Sequence, residues 1–424
     1  MKVAVIGAGF CGLMAAYRLS QNGHEVAVFE KEAVYGGLAS SVEIDKNLQV
    51  EKFIHHIFQS DIKIADLIDE LGLSADFLFT KSKDGILYNQ KIFPFEGVFD
   101  LLNFSPLPFW DRLRFGFITL FLKLTKNWKK FDDITAESWI KNWYGNNSYK
   151  IIWGPLLESK FGDFAPKVSM AWFWARIYCR SSKLGYLKGG IGKIFDSLAC
   201  AIEKSGSKIF LSSPVEEIRS EKKEILVKSQ TGSFLFDKVI VTIPAPIFVK
   251  ITPQLPINWS QKIKKIDFLS ATSLLLVLKK SFMPFYWLNV NDKNFPFLLV
   301  SEHTNFARSD WYDAKKILYL GNYLKGNDQK LSFSKEKILE NYLPYLKKIN
   351  PRFEKDWVEK SFYFKAPFAQ HVATVRYLDE LPGFETPIKN LYLASMFQVY
   401  PFDRGANYAV TMGEEVVNLA LQKT

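Results

Sequence analysis

The sequence predicts an α/β fold of two or three lobes, and three observations carry that expectation. Residues 2–32 pass from a short apolar run (Val3 to Ile6) through a glycine turn (Gly7, Gly9, Gly12) and an amphipathic segment reaching about Gln21. A second apolar run, Glu25 to Phe29, then ends on Glu30. Similar strand patterns return far downstream, at Lys238 to Ile243 before Pro244, and at Asn390 to Met396 before a turn with Gly405 and a closing helix. Finally, 424 residues, 48% of them hydrophobic, exceed what one hydrophobic core usually supports.

The opening stretch reads as a strand, turn, helix and strand in register. Gly7 permits the tight turn, Gly9 lets backbone approach a pyrophosphate, and Gly12 lets helix and strand pack closely. The helix start aims unpaired N–H groups and the positive end of its dipole at the phosphates. Glu30 lies 18 residues past Gly12, where the dinucleotide fingerprint places the acid that holds a ribose hydroxyl. An acid there favours an unphosphorylated ribose, which leaves NAD or FAD. Gly36 and Gly37, straight after the second strand, bring backbone close to a further surface that a plain NAD fold does not need.

Next come His55 and His56, which on a strand would face opposite sides, and a helix from Ile62 to Leu71 with Asp61 as its N-cap and Gly72 as its stop. Residues 85–95 read as a hairpin turning at Asn89-Gln90. Residues 99–131 are helical and aromatic, with an apolar body flanked by Arg112, Arg114, Lys123, Lys126, Lys129 and Lys130. That pattern leaves open both a buried helix with solvated ends and one lying on a membrane surface. A helix over 132–144 follows, then Trp172, Phe173 and Trp174, of which at most two can line one pocket, and Arg176. A helix from Lys193 to Lys204 and a strand from Lys208 to Leu211 lead to strand patterns at 225–228 and 234–236. Farther on, strands are expected at 273–278, 297–301 and 316–323, and a helix at 335–347. His303, Arg308, His371 and Arg376 are the polar candidates of that region for a pocket.

A net charge of +11 is scattered rather than gathered into a tract, so no nucleic-acid partner is expected, while an anionic substrate or anionic surface stays open. Cys11, Cys179 and Cys200 have neither paired nor metal-like spacing, which fits a reducing, cytoplasmic compartment, peripheral at most to the inner face of a membrane. No apolar run of transmembrane length occurs, no signal peptide is expected, and no metal site is read among the five histidines.

The glycine turn, the acid and the glycine pair in this order resemble the FAD-dependent oxidoreductases of the amine oxidase and protoporphyrinogen oxidase superfamily. The resemblance is anchored at both ends of the chain and weakest over 250–385. It implies a discontinuous, Rossmann-like FAD domain (1–95, 185–248 and 386–424) interrupted by a helical lobe (96–184) and an α+β substrate domain (249–385). The cofactor contacts it implies are Gly7, Gly9, Phe10, Cys11, Gly12, Glu30, Lys31, Gly36, Gly37, Leu38 and Ala39. Val215 would read the adenine through its backbone, and Asp403, Arg404, Gly405, Asn407 and Ala409 would complete the set. Two positions depart from the pattern. Leu38 replaces the usual arginine after the glycine pair, and Ser395-Met396 replaces a Gly-Asp pair, which would shift the ribitol contact to Asp403 or to backbone. His56-Ile57-Phe58 and Tyr400 to Asp403 are also similar to the UDP-galactopyranose mutase branch.

The resemblance implies hydride transfer from an organic substrate to the flavin N5, with the protein supplying orientation, electrostatics and exclusion of water. Two alternatives accompany it: a redox-neutral sugar mutase, whose substrate pyrophosphate Arg176 or Arg404 would hold, and a flavin-free escort protein of the same fold. His56, Arg176 and Arg404 are the expected pocket residues, with no role assigned to any of them.

Overall fold

The opening run forms the middle of a five-stranded parallel sheet in a computed structural model that describes residues 1–422. Lys2–Ile6 lies between Glu25–Phe29 and Lys238–Val241, with Lys208–Phe210 and Leu391–Leu393 at the two edges. Side chains alternate along the central strand. Val3 and Val5 join a core shared with the helices Phe10–Gln21, Gly192–Lys204 and Ala406–Gln422. Ala4 and Ile6 join one formed with an antiparallel meander of Val215–Glu221, Glu224–Ser229 and Gly232–Phe236. Burial on both faces is why these strands read as unbroken apolar runs.

A seven-stranded sheet carries the second lobe, in the order Val358–His371, Phe268–Leu278, Lys316–Lys325, Leu299–Glu302, Trp287–Val290, Asp84–Tyr88, Lys91–Pro94. All neighbours are antiparallel except Trp287–Val290 and Asp84–Tyr88. The hairpin turning at Asn89-Gln90, both with positive φ, thus forms the far edge of this larger sheet. One face of the sheet receives the helix Lys335–Ile349. From the other, Leu275, Val277, Ile317 and Tyr319 enter the core of the first lobe.

Three sequence expectations change in detail. Helical structure over 99–131 is divided into Val98–Asn103 and Phe109–Leu124, because Pro106 and Pro108 hold the intervening segment out of the helix. Asp61 does not cap the helix Ile62–Glu70 with its side chain; its carboxylate accepts the Phe58 N–H at 2.8 Å. The Ile64 N–H donates instead to Asn407 Oδ1, 3.3 Å away on the closing helix. The long strand Val358–His371 has no counterpart in the sequence reading; as an edge strand it tolerates Pro367 in its middle.

The helices between the hairpin and Lys183 pack around an aromatic core. Phe115 stacks on Trp153 at 5.4 Å, and Trp153 meets Phe173 edge to face at 4.9 Å. Trp172, Phe173 and Trp174 on the helix Met170–Tyr178 are all buried in it. No helix among the described residues is long and apolar enough to cross a membrane.

Candidate active site

The site has two parts, a backbone cradle and a cluster of cations, joined by the closing helix. The cradle begins where Lys2–Ile6 ends. Hydrogen bonding inside the helix Phe10–Gln21 starts with Leu13 N–H to Gly9 O at 2.9 Å, so the earlier amides face out of its N-terminus. A Cβ on Gly12 would lie 1.9 Å from the Gly7 carbonyl oxygen, so only glycine allows that approach. A Cβ on Gly9 would meet nothing within 4 Å. Gly9 therefore borders open space in front of a helix N-terminus.

The glycine pair closes the same space from the other side. Gly36, at φ +110°, donates its N–H to Ala8 O at 2.7 Å, and a Cβ there would strike the Phe195 ring at 2.8 Å. A Cβ on Gly37 would stand 3.5 Å from Gly9 Cα, so the two glycine loops face each other. Beside them Glu30 is buried, its carboxylate accepting the Ala8 N–H at 2.8 Å and the Glu32 N–H at 2.9 Å. The acid thus sits at the end of the second strand, against the first glycine loop. Ser213 N–H donates to the Glu30 carbonyl at 2.8 Å, which carries Val215 to this end of the sheet.

The remaining expected contacts differ in character. Phe10 packs its ring on Phe195 at 4.4 Å. Burial pushes the Cys11 thiol up to about 12, which leaves it a packing residue rather than a nucleophile. Lys31 is exposed and paired with Glu32 at 2.6 Å, while Leu38 and Ala39 lie in the turn Gly37–Ala39. Ala409 is buried and donates its N–H to Gly405 O at 3.1 Å in the first turn of the closing helix. The Asn407 carboxamide is committed to Ile64, as described above. The open space at Gly9, the outward amides and the acid together fit a dinucleotide pyrophosphate and ribose.

The closing helix leads to the second part. A Cβ on its Gly413 would come within 2.7 Å of the Cys11 carbonyl oxygen, so the two helices touch backbone to backbone. Just before that helix, Asp403 accepts an ion pair from Lys160 Nζ at 2.6 Å. Arg404 donates to Ala369 O and to the Tyr323 hydroxyl, its guanidinium carbon 5.1 Å from the Tyr323 ring centre. Lys160 Nζ also lies 4.7 Å from the Trp172 ring centre. Arg176 is half-buried and makes no hydrogen bond or ion pair among the described residues.

One cation thus pairs directly with the Asp403 carboxylate, and two more act on it through their charge. Burial alone would raise the Asp403 carboxyl, but Lys160, Arg404 and Arg176 outweigh it and hold it well below the usual range. Burial pushes the Lys160 ammonium down to about 8, although Asp403 pulls it upward. His371, within the field of these charges, is pushed down to about 4 by burial and stacks on Tyr377 at 5.5 Å. Its Nε2 and the Trp172 Nε1 are buried without a hydrogen-bond partner among the described residues. Two orphaned polar atoms beside surplus positive charge suit this cluster to an anion.

His55 and His56 do turn to different partners, although residues 54–56 lie outside any strand. His55 Nδ1 pairs with Phe53 O at 2.8 Å, and His56 Nδ1 with the Tyr286 hydroxyl at 2.8 Å. Burial pushes His56 down to about 3, helped by His55 and Arg180, so it is neutral near pH 7. Of the other candidates, Arg308 and Arg376 are surface residues paired with Asp310 and Asp379. His303 is buried and pairs through Nε2 with the Tyr312 hydroxyl at 3.1 Å.

Two features escaped the sequence reading. One is Lys160, which shares the buried face of the helix Gly154–Phe161 with Leu157 and Phe161; a lysine at that apolar spacing was the available signal. The other is a buried chain in which Tyr186 OH donates to Glu51 Oε2 at 2.6 Å and accepts from Tyr312 OH at 3.1 Å. Tyr319 OH closes it on the Glu51 carbonyl at 2.6 Å, tying the two lobes together.

Comparison with known proteins agrees with this geometry. The family model for flavin containing amine oxidoreductase matches residues 10–401. The chain is 23% identical over 286 residues to a flavin-containing monoamine oxidase of Mycobacterium tuberculosis, a match covering 62% of this chain and 61% of that protein's length. It is 35% identical over 123 residues to a mitochondrial protoporphyrinogen oxidase of Nicotiana tabacum, covering 29% of this chain and 23% of that one. In fold it is similar to reduced UDP-galactopyranose mutase, with a TM-score of 0.78, 16% identity, and coverage of 100% and 96% of the two chains. The chain belongs to the flavin-containing amine oxidoreductase family, and its cofactor is FAD.

Proposed function

We propose that this protein is a FAD-dependent oxidoreductase that removes a hydride from an anionic organic substrate. The observation that carries the reading is the pair of glycine loops facing open space at Gly9, joined through the closing helix to the cations Lys160, Arg176 and Arg404. When bound, FAD supplies a hydride acceptor at its N5. The chain's own residues bind and orient. Gly9, Gly37 and the first amides of Phe10–Gln21 hold the pyrophosphate, and Glu30 holds the ribose. Arg176, whose guanidinium is uncommitted, and Lys160 attract the substrate's anionic group. The Arg404 guanidinium is fixed on Ala369 and Tyr323, and its backbone N–H donates to Asp403 Oδ1 at 3.0 Å. The aromatic wall of Trp172 and Tyr323 excludes water from that end.

The domain boundaries given above, a small-molecule substrate and a cytoplasmic location peripheral to a membrane through residues 99–130 belong to the same reading. A redox-neutral sugar rearrangement is the second reading, favoured by the cation cluster, because a nucleotide sugar brings a pyrophosphate.

The test is anaerobic mixing of the purified flavoprotein with panels of organic anions. The panels are compounds with a C–H beside nitrogen or oxygen, compounds with a ring open to desaturation, and nucleotide sugars. Loss of the oxidised flavin absorbance with one of the first two panels is the expected result. A protein that releases no flavin on denaturation overturns the reading. Turnover of a nucleotide sugar by the reduced protein, with no acceptor consumed, selects the rearrangement instead.

A further inference from the structure

The helix Phe109–Leu124 presents large apolar side chains to both sides. Phe115, Ile118 and Leu122 face the aromatic core and are buried. Trp110, Leu113, Phe117, Leu120 and Leu124 recur at alternating spacings of three and four, which places them along the opposite face. That face is bare: Trp110 is 77% exposed, and Phe117 and Leu124 are each 72% exposed. The preceding helix Val98–Asn103 extends it with Phe99, 83% exposed. An unbroken stripe of this kind is more than the scattered apolar side chains of an ordinary surface.

Charge decides what covers it. Residues 109–130 carry six cations, Arg112, Arg114, Lys123, Lys126, Lys129 and Lys130, against the single carboxylate of Asp111. Arg112, Arg114 and Lys123 donate to backbone carbonyls, which orders them without cancelling their charge. Pairing the stripe with a second copy of itself brings two such cationic rims together. Anionic lipid headgroups complement the rim, while the acyl boundary takes the aromatic and leucine side chains. At 16 residues the helix is about 24 Å long and flanked by charge, which suits it to lie in the interface and not to span it.

We propose that Phe109–Leu124 docks the protein on an anionic bilayer, with Trp110, Phe117 and Leu124 in the acyl boundary and Lys126, Lys129 and Lys130 among the headgroups. This rests on the peripheral location proposed above and names its structural basis. The docking helix packs directly on Met170–Tyr178, which carries Trp172 and Arg176. The bilayer then lies one helix away from the cation cluster.

The test is co-sedimentation of the holoprotein with vesicles of phosphatidylcholine, with and without phosphatidylglycerol. Binding to the phosphatidylglycerol vesicles and its release by high salt are expected. Trp110→Ser combined with Phe117→Ser lowers that binding by about tenfold or more, and Lys126→Glu with Lys129→Glu and Lys130→Glu abolishes the preference for anionic lipid. All of these side chains are on the surface, so an unchanged melting temperature certifies the fold. A wild-type protein that stays in the supernatant, or an apolar double variant that binds as tightly as wild type, overturns the proposal. So does a dimer in sedimentation velocity that the double variant dissolves, which assigns the stripe to a second copy. Flavin per chain, measured in the same samples, separates a failure of docking from a failure of the cofactor reading.

Discussion

Gly9→Ala separates the cofactor's requirement from the fold's. Gly9 has φ −82° and ψ −176°, which alanine adopts without strain, and its new methyl meets no protein atom within 4 Å. The apoprotein is therefore expected within about 0.5 kcal/mol of wild type, or more stable by up to about 1 kcal/mol through the stiffer unfolded chain. The cofactor has no such latitude, because the methyl enters the space through which the phosphates reach the helix amides. Each charge-assisted amide bond lost costs about 1.5–3 kcal/mol, which is about ten- to a hundredfold in retention. Gly12→Ala is the contrasting variant: its Cβ would overlap the Gly7 carbonyl at 1.9 Å, so fold and cofactor are expected to fail together. The assay pairs flavin released per chain with a thermal melt of the flavin-stripped protein. Full flavin content in a normally melting Gly9→Ala protein would show that the space in front of this helix is not the cofactor's.

Four further outcomes are expected. Glu30→Lys removes the acceptor of the Ala8 and Glu32 amides as well as the ribose partner, so both the apoprotein melt and the flavin content fall; a loss of flavin alone would mean that the loop holds without the acid. Lys160, held at about 8, loses its charge as pH rises past 8, so the apparent KM for an anionic substrate rises there, and Lys160→Met flattens the profile. From pH 8 up to about 10.4, the ordinary lysine value, the unfolded chain binds the extra proton, so this residue makes stability increase with pH across that window. Tyr186→Phe removes the donor to Glu51 Oε2 and the acceptor of the Tyr312 hydroxyl, leaving Glu51 only Ile191 N–H and Tyr312 only His303, which costs about 1–3 kcal/mol in a denaturant melt. Alkylation of the native protein labels exposed Cys200 before Cys11, which reacts only once the chain unfolds; mass spectrometry of the labelled peptides reads the order.

The cradle was legible because backbone geometry wrote it locally. Close approach at Gly12, positive φ at Gly36 and the acid at the end of the second strand are all set within 40 residues of the start. The cation cluster was only half legible. Arg176 and Arg404 stood out as charges among aromatics and turn residues, whereas Lys160 lies inside an apolar helix stripe and is identified by Asp403, 243 residues away. Similarly, Arg308, Arg376, His303 and His371 looked equivalent along the chain. Tertiary packing sends both arginines to surface ion pairs and buries both histidines, and only His371 comes into the field of the cluster. The strand Val358–His371 was hidden by Pro367, a residue that signals against a strand until its edge position is known. The cap on Ile62–Glu70 was misread for a related reason: the nearest carboxylate bonds backward to Phe58, and the amide is met by a residue of the last helix.

The five-stranded sheet has one consequence for how the protein is made. Its central strand Lys2–Ile6 is synthesised well before its edge strand Leu391–Leu393. At about 5–20 residues per second, the nascent chain waits on the order of 20–80 s for that partner. Until then Lys238–Val241 ends the sheet as a bare apolar edge, open to pairing with a neighbouring nascent chain. A chain truncated shortly before Leu391 would be long and well patterned but would carry an unclosed sheet.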